Sequence, residues 1–161
     1  MAVDMYLKIE TIDGETTDKV MSKDKACDIL AWSWGISNSG TAHMGGGAGA
    51  GKANFQDISV TKYVDSASNA LLLACATGEH FPSAKLTVRK AGTLPPVEFL
   101  TITLSNARLT SLNIGTAAPG SPTLSEQFAL AFEQIEVKYA PQRRAGDKGA
   151  DLTFQAQVSS D

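Results

Sequence analysis

Charged residues are scarce in this chain of 161 residues, because Asp, Glu, Lys and Arg make up 19% of it. Ordinary soluble domains have about 25%. The formal net charge is −3, from 14 basic and 17 acidic residues. Since binding a phosphate backbone needs clustered Lys and Arg, this composition argues against nucleic acid as a partner. We expect a surface made largely of Ser, Thr, Asn, Gln and Gly.

Long apolar runs and cysteines are also few. No run approaches the roughly 20 residues of a membrane-spanning helix, so we expect no membrane insertion. The N-terminus, Met1 to Met5, lacks the basic and apolar regions of a secretory signal, which predicts synthesis and folding in the cytoplasm. Cys27 and Cys75 do not form a C-x-x-C pair and are expected to be free thiols. The length suits one domain, or at most two small ones.

Apolar and polar residues alternate with a period of two in nearly every segment, as in half-buried β-strands. The alternation changes phase after Phe99 and again near Glu133, where one extra residue would form a β-bulge. Residues 112–123 contain two Gly and two Pro and are predicted to be a loop. Strands are predicted over residues 3–9, 30–36, 55–64, 84–89, 97–104, 128–139 and 152–158, the last of them at a sheet edge.

One short helix is predicted over about residues 65–77. Asp65 or Ser66 can cap its N-terminus, and Gly78 stands where a helix C-terminus favours a positive φ. Its leucines cover more than one face, so we expect the helix to be buried on more than one side. Many strands without a βαβ rhythm predict a mainly β fold, either an antiparallel β-barrel or two packed sheets, with this helix against it.

A glycine-rich stretch matches part of a phosphate-binding loop. Gly46, Gly51 and Lys52 have the required spacing, but the next residue, Ala53, has no oxygen for Mg²⁺. The motif also needs a helix to follow, whose N-terminal amides hold the phosphate, and a strand is predicted there. We therefore do not expect nucleotide binding.

The other polar residues do not form a catalytic or metal-binding pattern. Ser39 stands where a nucleophile elbow needs its second glycine. His43 and His80 lie far apart in the sequence, and Glu133 and Glu136 are predicted on opposite faces of a strand, which does not suit a paired acid and base. We expect no enzyme activity, no metal and no cofactor.

Seven blocks of sequence, in one order along residues 2–140, carry a family resemblance. They are residues 2–9 (AVDMYLKI), 30–35 (LAWSWG), 43–47 (HMGGG), 55–63 (FQDISVTKY), 71–78 (LLLACATG), 81–92 (FPSAKLTVRKAG) and 137–139 (VKY). Together they resemble the haemolysin-coregulated protein (Hcp) family, the tube proteins of the type VI secretion system.

The resemblance implies a single domain over residues 1–161, similar in fold to phage tail-tube proteins. It would form a homohexameric ring with a central pore, and stacked rings would form the inner tube. A contractile sheath would drive this tube out of the cell behind a trimeric spike protein, with effector proteins in its lumen. The protein would thus leave the cell through this system without a signal peptide. The alternative is a secreted effector or adaptor subunit that delivers or chaperones a toxin.

A pore-lining residue follows from the resemblance together with the alternation. Trp32 and Trp34 share the apolar phase and should lie in the core. Ser33 should then point to the opposite face and line the lumen. The remaining charges, such as Lys85, Arg89 and Glu136, are expected on solvent-facing or lumen-facing sides.

The glycine-rich loop over about residues 40–53 matches an extended loop of the family. Its length and lack of side chains predict that it lies at the contact between stacked rings. The polar segment over about residues 140–150 is expected to vary in composition and to face solvent. The residues assigned to the stacking contact are His43, Met44, Gly45, Gly46, Gly47, Gly49, Gly51 and Lys52.

Overall fold

A computed structural model describes residues 2–38, 52–92, 96–116, 118–141 and 149–158. The predicted mainly β fold with one short helix is confirmed in these residues, and that helix is too short to span a membrane. The elements in chain order are β1 (Val3–Ile9), β2 (Cys27–Asp28), β3 (Ala31–Ser33), β4 (Ile36–Asn38), β5 (Ala53–Phe55), β6 (Ile58–Tyr63), α1 (Ser68–Thr77), β7 (His80–Lys90), β8 (Val97–Thr116), β9 (Leu124–Ala131), β10 (Gln134–Tyr139) and β11 (Leu152–Gln157).

The long strand β8 organises the main sheet. One edge of β8 pairs with β7 as far as Arg108, and the other edge pairs first with β10 and then with β9. Beyond these neighbours the sheet continues through β6 to β3, through β1 to β2, and from β10 to β11. Strands β4 and β5 form a separate hairpin. Every pairing is antiparallel, which confirms packed antiparallel sheets with β11 at an edge.

The main sheet does not close into a continuous barrel, but one segment connects its two ends. Strand β2 pairs with β1, and β3, a few residues later, pairs with β6. Between them, the Ile29 N–H donates to the Met5 carbonyl at 3.0 Å and the Leu30 N–H donates to the Thr61 carbonyl at 2.8 Å. Residues 27–33 therefore connect the two ends of the sheet by hydrogen bonds, on one side of the core.

Register shifts bend β8. Arg89 lies opposite Glu98, whereas Val88 lies opposite Leu100, so Phe99 is the extra residue. This is the place where the sequence alternation changes phase. A second shift, between Leu109 and Ser111, falls where β8 begins its long pairing with β9.

The phase change near Glu133 has a different origin from the one predicted. It is a break between two strands, because β9 ends at Ala131 and β10 begins at Gln134. The Glu133 N–H donates to the Ser105 carbonyl at 3.0 Å, and Phe132 is buried. The break lets the chain follow the bend of β8. The sequence predicted that Glu133 and Glu136 share one strand. The structure shows that they do not, because Glu133 lies in the break before β10.

The loop predicted over residues 112–123 is wrong in its first part. Strand β8 continues to Thr116, because Leu112 pairs with Phe128 and Thr116 pairs with Leu124. Pairing with β9 outweighs the poor strand propensity of this Gly-containing stretch. The strand predicted over residues 30–36 is also interrupted, since β3 and β4 belong to different sheets.

Helix α1 begins later than predicted and ends where predicted. The Asp65 side chain accepts the Ala67 N–H at 2.9 Å, and the Ser68 hydroxyl accepts the Asp65 N–H at 2.9 Å, so these residues close a turn before the first helical residue. At the other end Gly78 has a φ of 70°, and its N–H donates to the Ala74 carbonyl. Glycine tolerates this left-handed conformation without strain.

The core lies between the helix and the inner faces of the sheets. A second, smaller cluster of Tyr6, Met21 and Ala26 lies on the outer face of β1, where residues 12–26 cover the sheet. In the polar segment predicted over residues 140–150, Ala140 is buried and residues 142–148 lie outside the described part. The main core includes Leu7, Ile9, Ile58, Val60, Leu71, Phe81, Leu86, Ile102, Leu104, Phe128, Leu130 and Ile135.

A substitution at Gly14 tests how closely residues 12–26 are packed. A Cβ at this position would lie 2.5 Å from the Ala26 carbonyl oxygen, which is backbone and cannot easily move. We expect Gly14→Ala to lower the free energy of unfolding, measured with guanidinium, by about 1–3 kcal/mol. Gly115→Ala is the control, because its Cβ meets nothing within 4 Å. Equal losses in the two variants would contradict this close packing.

Candidate functional site

Four neighbouring strands, β8, β9, β6 and β3, present one continuous outward face. The register places Ser33 opposite Ser59, Ser59 opposite Ala129, and Ala129 opposite Ser111. Directly opposite residues in antiparallel pairs point to the same side of a sheet. A second row on this side consists of Ala31, Thr61, Gln127 and Asn113. We call these eight residues the polar face.

The polar face is small in side-chain volume and carries no charge. Its residues are exposed or half-buried, and the Gln127 amide donates to the Ser59 hydroxyl at 3.2 Å. The other side of the same strands faces the core, where Trp32, Val60 and Phe128 lie in register. The four strands thus separate a packed core from an uncharged surface.

Ser33 lies on the exposed side of β3, away from the core, as its position between two tryptophans predicts. Trp32 and Trp34 pack against the core but are only partly buried. The Trp34 indole N–H donates to the Gln56 carbonyl at 2.8 Å. A pore-lining role for Ser33 stays a prediction at this point.

The structure describes only the end of the predicted stacking loop. His43, Met44, Gly45, Gly46, Gly47, Gly49 and Gly51 lie outside the described residues, and Lys52 is exposed just before β5. The β4–β5 hairpin, in which Asn38 pairs with Ala53, carries both ends of the loop. A strand that begins at Ala53, and not a helix, follows Lys52, as predicted for this incomplete phosphate-binding motif.

The other candidate groups remain separate from one another. His80 is exposed at the start of β7, with Nδ1 3.2 Å from the Asn106 amide oxygen. Cys27 and Cys75 are both free. In the described part of the chain, no group of three His, Cys, Asp or Glu side chains is placed to hold a metal ion.

Two oppositely charged residues in the core were missed by the sequence predictions. Lys62 and Glu126 lie opposite each other on β6 and β9, and their side chains are fully buried and form an ion pair. The Lys62 ammonium also donates to Asp65 at 2.7 Å, and the Ser68 hydroxyl donates to Glu126 at 3.0 Å. Both residues fall in the inward phase of their strands, so the alternation did contain the signal for this pair.

This network joins two strands to the start of the helix. Burial by itself would lower the pKa of Lys62, but the hydrogen bonds and charges of Asp65 and Glu126 outweigh it. The pKa is therefore raised, and the ammonium remains charged. Such a pair fixes the position of α1 relative to the polar face, which lies on the other side of the same strands.

The predicted exposure of Arg89 is wrong, because this residue is only 4% exposed. It donates to the Tyr6 hydroxyl at 2.9 Å and pairs with the Asp18 carboxylate. Residues 12–26 fold over the outer face of β1 and bury the Arg89 side chain. The hydrogen bond from Arg89, helped by the N–H groups of Met21 and Val20, lowers the pKa of Asp18 to about 2. Lys85 is exposed and Glu136 is half-buried on the surface, as expected.

Two apolar surfaces are exposed in the single chain. Helix α1 is buried on one side only, and Leu72 and Leu73 on its other side are 41% and 63% exposed. In the predicted strand over residues 30–36, Leu30 and Ile36 are each 43% exposed. The expectation of a helix buried on more than one side is therefore wrong for the isolated chain.

Comparisons with known proteins agree on one family. The family model described as "Type VI secretion system effector, Hcp" matches residues 6–139. Protein hcp1 of Pseudomonas aeruginosa is 49% identical over 148 residues, which are 92% of this chain and 90% of that protein.

Solved structures give the same result. A structure described as that of a type six secretion system protein has a TM-score of 0.87 and 28% identity, and covers 98% of this chain and 96% of its own. Hcp1 from Salmonella typhimurium has a TM-score of 0.78 and 30% identity, over 98% of this chain and 95% of its own.

Lys62→Met tests the buried network. We expect it to lower the free energy of unfolding by about 3–5 kcal/mol, because Glu126 would remain buried without its cation. Lys62→Met combined with Glu126→Leu should recover most of this loss, because no unpaired charge then remains in the core. Lys85→Met, an exposed control, should change it by less than about 0.5 kcal/mol. Guanidinium unfolding measures all three, and a small loss in Lys62→Met would contradict the role of the pair.

Proposed function

This chain belongs to the Hcp family of type VI secretion system proteins, and on that basis we propose that it assembles into hexameric rings that stack into the inner tube of the system. The family consists of structural, secreted tube proteins and not of enzymes. The observation that supports the proposal most strongly is the polar face, which belongs to a sheet with a free edge on each side.

The two free edges suit pairing between copies. Among the described strands, β3 pairs only with β6, and β8 beyond Arg108 pairs only with β9. The three pairings from β8 to β3 are all antiparallel, so β3 of one copy and β8 of the next would again run antiparallel. Unpaired strand edges readily pair with another chain, and a head-to-tail contact whose rotation closes generates a ring.

In such a ring the polar face lines the pore, with Ser33 in one of its two rows. The side chains of the polar face are small and uncharged. An effector protein in the pore would therefore meet neither a charged surface nor a large apolar patch to which it could bind tightly. The core side of the four strands then faces outward, towards the rest of each subunit. This arrangement supports a lumen that carries effector proteins.

Membership of the family also supports a proposal for the wider assembly. We propose that the protein is made in the cytoplasm and leaves the cell through the type VI secretion system. Stacked rings would meet a trimeric spike protein at one end and the contractile sheath around their outer surface. Effectors in the lumen would leave with the tube.

Ser33→Arg tests the lumen assignment. We expect rings to form as in the unchanged chain, with about six times the monomer mass by light scattering, because a side chain that points into the lumen leaves the backbone pairing of β3 and the core-side contacts unchanged. Effector proteins that co-purify with the rings, measured by mass spectrometry, should fall about tenfold or more. Asp24→Arg, a control at an exposed position, should leave both readouts unchanged. Loss of rings with Ser33→Arg alone would contradict the assignment.

Deletion of residues 44–50 tests the stacking loop. The remaining residues still build the ring surfaces, so rings are expected to keep their mass. Tubes seen by electron microscopy at high protein concentration should disappear, because the contact between rings is lost. Replacing residues 44–50 by a Gly-Ser segment of the same length is the control for loop length. Tubes that persist after the deletion would rule out the stacking role.

A further inference from the structure

Helix α1 has the composition of a buried helix but is covered on one side only. Its sequence from Ser68 to Thr77, SNALLLACAT, has no charged residue. Leu71 and Ala74 face the core, whereas Leu72 and Leu73 are exposed. A helix that is apolar all round is normally buried all round. We call Leu72 and Leu73 the helix face.

A second uncovered apolar surface lies beside β3. It combines the exposed Leu30, just before the strand, and Ile36 of β4 with the partly buried Trp34 between them. Phe154 of β11 continues the surface, because its ring lies 6.4 Å from that of Trp34, and Phe154 is 43% exposed. These side chains are again uncharged. We call Leu30, Trp34, Ile36 and Phe154 the strand-end face.

Each of the two faces lies next to one of the free strand edges. β7 ends its pairing with β8 at His80 and Arg108, and α1 precedes β7 directly. The first residue of the helix, Ser68, bonds to Glu126, which lies opposite Ile114 on β8. The helix thus runs beside the part of β8 that lacks a partner on that side. The strand-end face, in turn, lies at the two ends of β3, since Leu30 precedes this strand and Trp34 follows it.

We propose that the helix face of each copy packs on the strand-end face of the next copy around the ring. This inference rests on the proposed function and names the contact that accompanies the pairing of the two strand edges. A cyclic assembly needs two different surfaces on each chain, and these two are complementary in being apolar and uncharged. Interface cores are depleted in charged residues in the same way.

The position of the two faces favours this partner over others. When β3 of one copy pairs with β8 of the next, the side chains that flank these edges on the core side must meet, because they lie on the same side of the joined sheet. Tyr139 and Leu152 are also exposed and lie opposite each other, but on β10 and β11, which do not carry the free edges of β3 and β8. The helix face and the strand-end face are the surfaces that become continuous across the joined edge.

Chemical cross-linking tests the contact directly. In a Cys75→Ser chain, Leu73→Cys and Ile36→Cys are combined and treated with a short bismaleimide. We expect a ladder of covalent species up to the hexamer on a denaturing gel. The matched control pairs Leu73→Cys with Val20→Cys and should remain monomeric. A ladder in the control that equals the one in the test pair, or no ladder in either, would overturn the inference.

A second variant uses a different readout. Leu72→Gln with Leu73→Gln should raise the protein concentration at which half of the chains are in rings by about tenfold or more, since two buried leucines are lost at each contact. Val20→Gln should have no effect. Rings as stable as the unchanged ones would contradict the proposal, as would covalent dimers of Leu73→Cys alone, which would indicate a two-fold contact.

The same measurements separate this inference from the proposed function. If the unchanged chain never exceeds the monomer mass, the ring itself is wrong. If rings form but the Leu73→Cys and Ile36→Cys pair does not cross-link, only the contact is wrong. If the Gln variant keeps its rings but loses binding of another secreted protein, the helix face serves that protein and the inference fails.

Discussion

The length and bend of β8 are the constraint on which the rest of the structure depends. The strand has 20 residues, but β7 accompanies it only as far as Arg108. Register shifts bend it so that its first part joins β7 and β10, and its second part joins β9. Helix α1 packs where β7 has ended. One strand therefore builds the core and also leaves an unpaired edge beside the polar face, which is the physical basis of the proposed ring.

The low charge content takes on a sharper meaning once the positions of the charges are known. Lys62, Glu126 and Arg89 are buried, so the surface has even fewer charges than the composition indicates. Lys62 and Glu126 hold the helix against the sheet, and Arg89 holds residues 12–26 through Asp18. The scarce charges thus fix the shape of the subunit, while the uncharged surfaces remain available for contacts between copies and for the lumen.

The alternation in the sequence predicted most strands and the orientation of Ser33, because a period of two reports directly which side of a strand is buried. It did not show that β8 reaches Thr116, since that depends on pairing with β9. The burial of Arg89 was also out of reach, because a distant segment covers it. Leu72 and Leu73 belong to a helix that was predicted to be buried on more than one side, and the single chain leaves them exposed. Local patterns report that a residue should be buried, but not which chain buries it.

The central claim is that neighbouring copies in a ring cover the unpaired strand edges and the exposed apolar surfaces of each chain. Electron microscopy of the purified protein tests this claim most directly. We expect top views of rings with six-fold symmetry and a central pore, in which density for helix α1 lies at the boundary between neighbouring subunits. Monomers at high concentration, or closed dimers without a pore, would contradict the account.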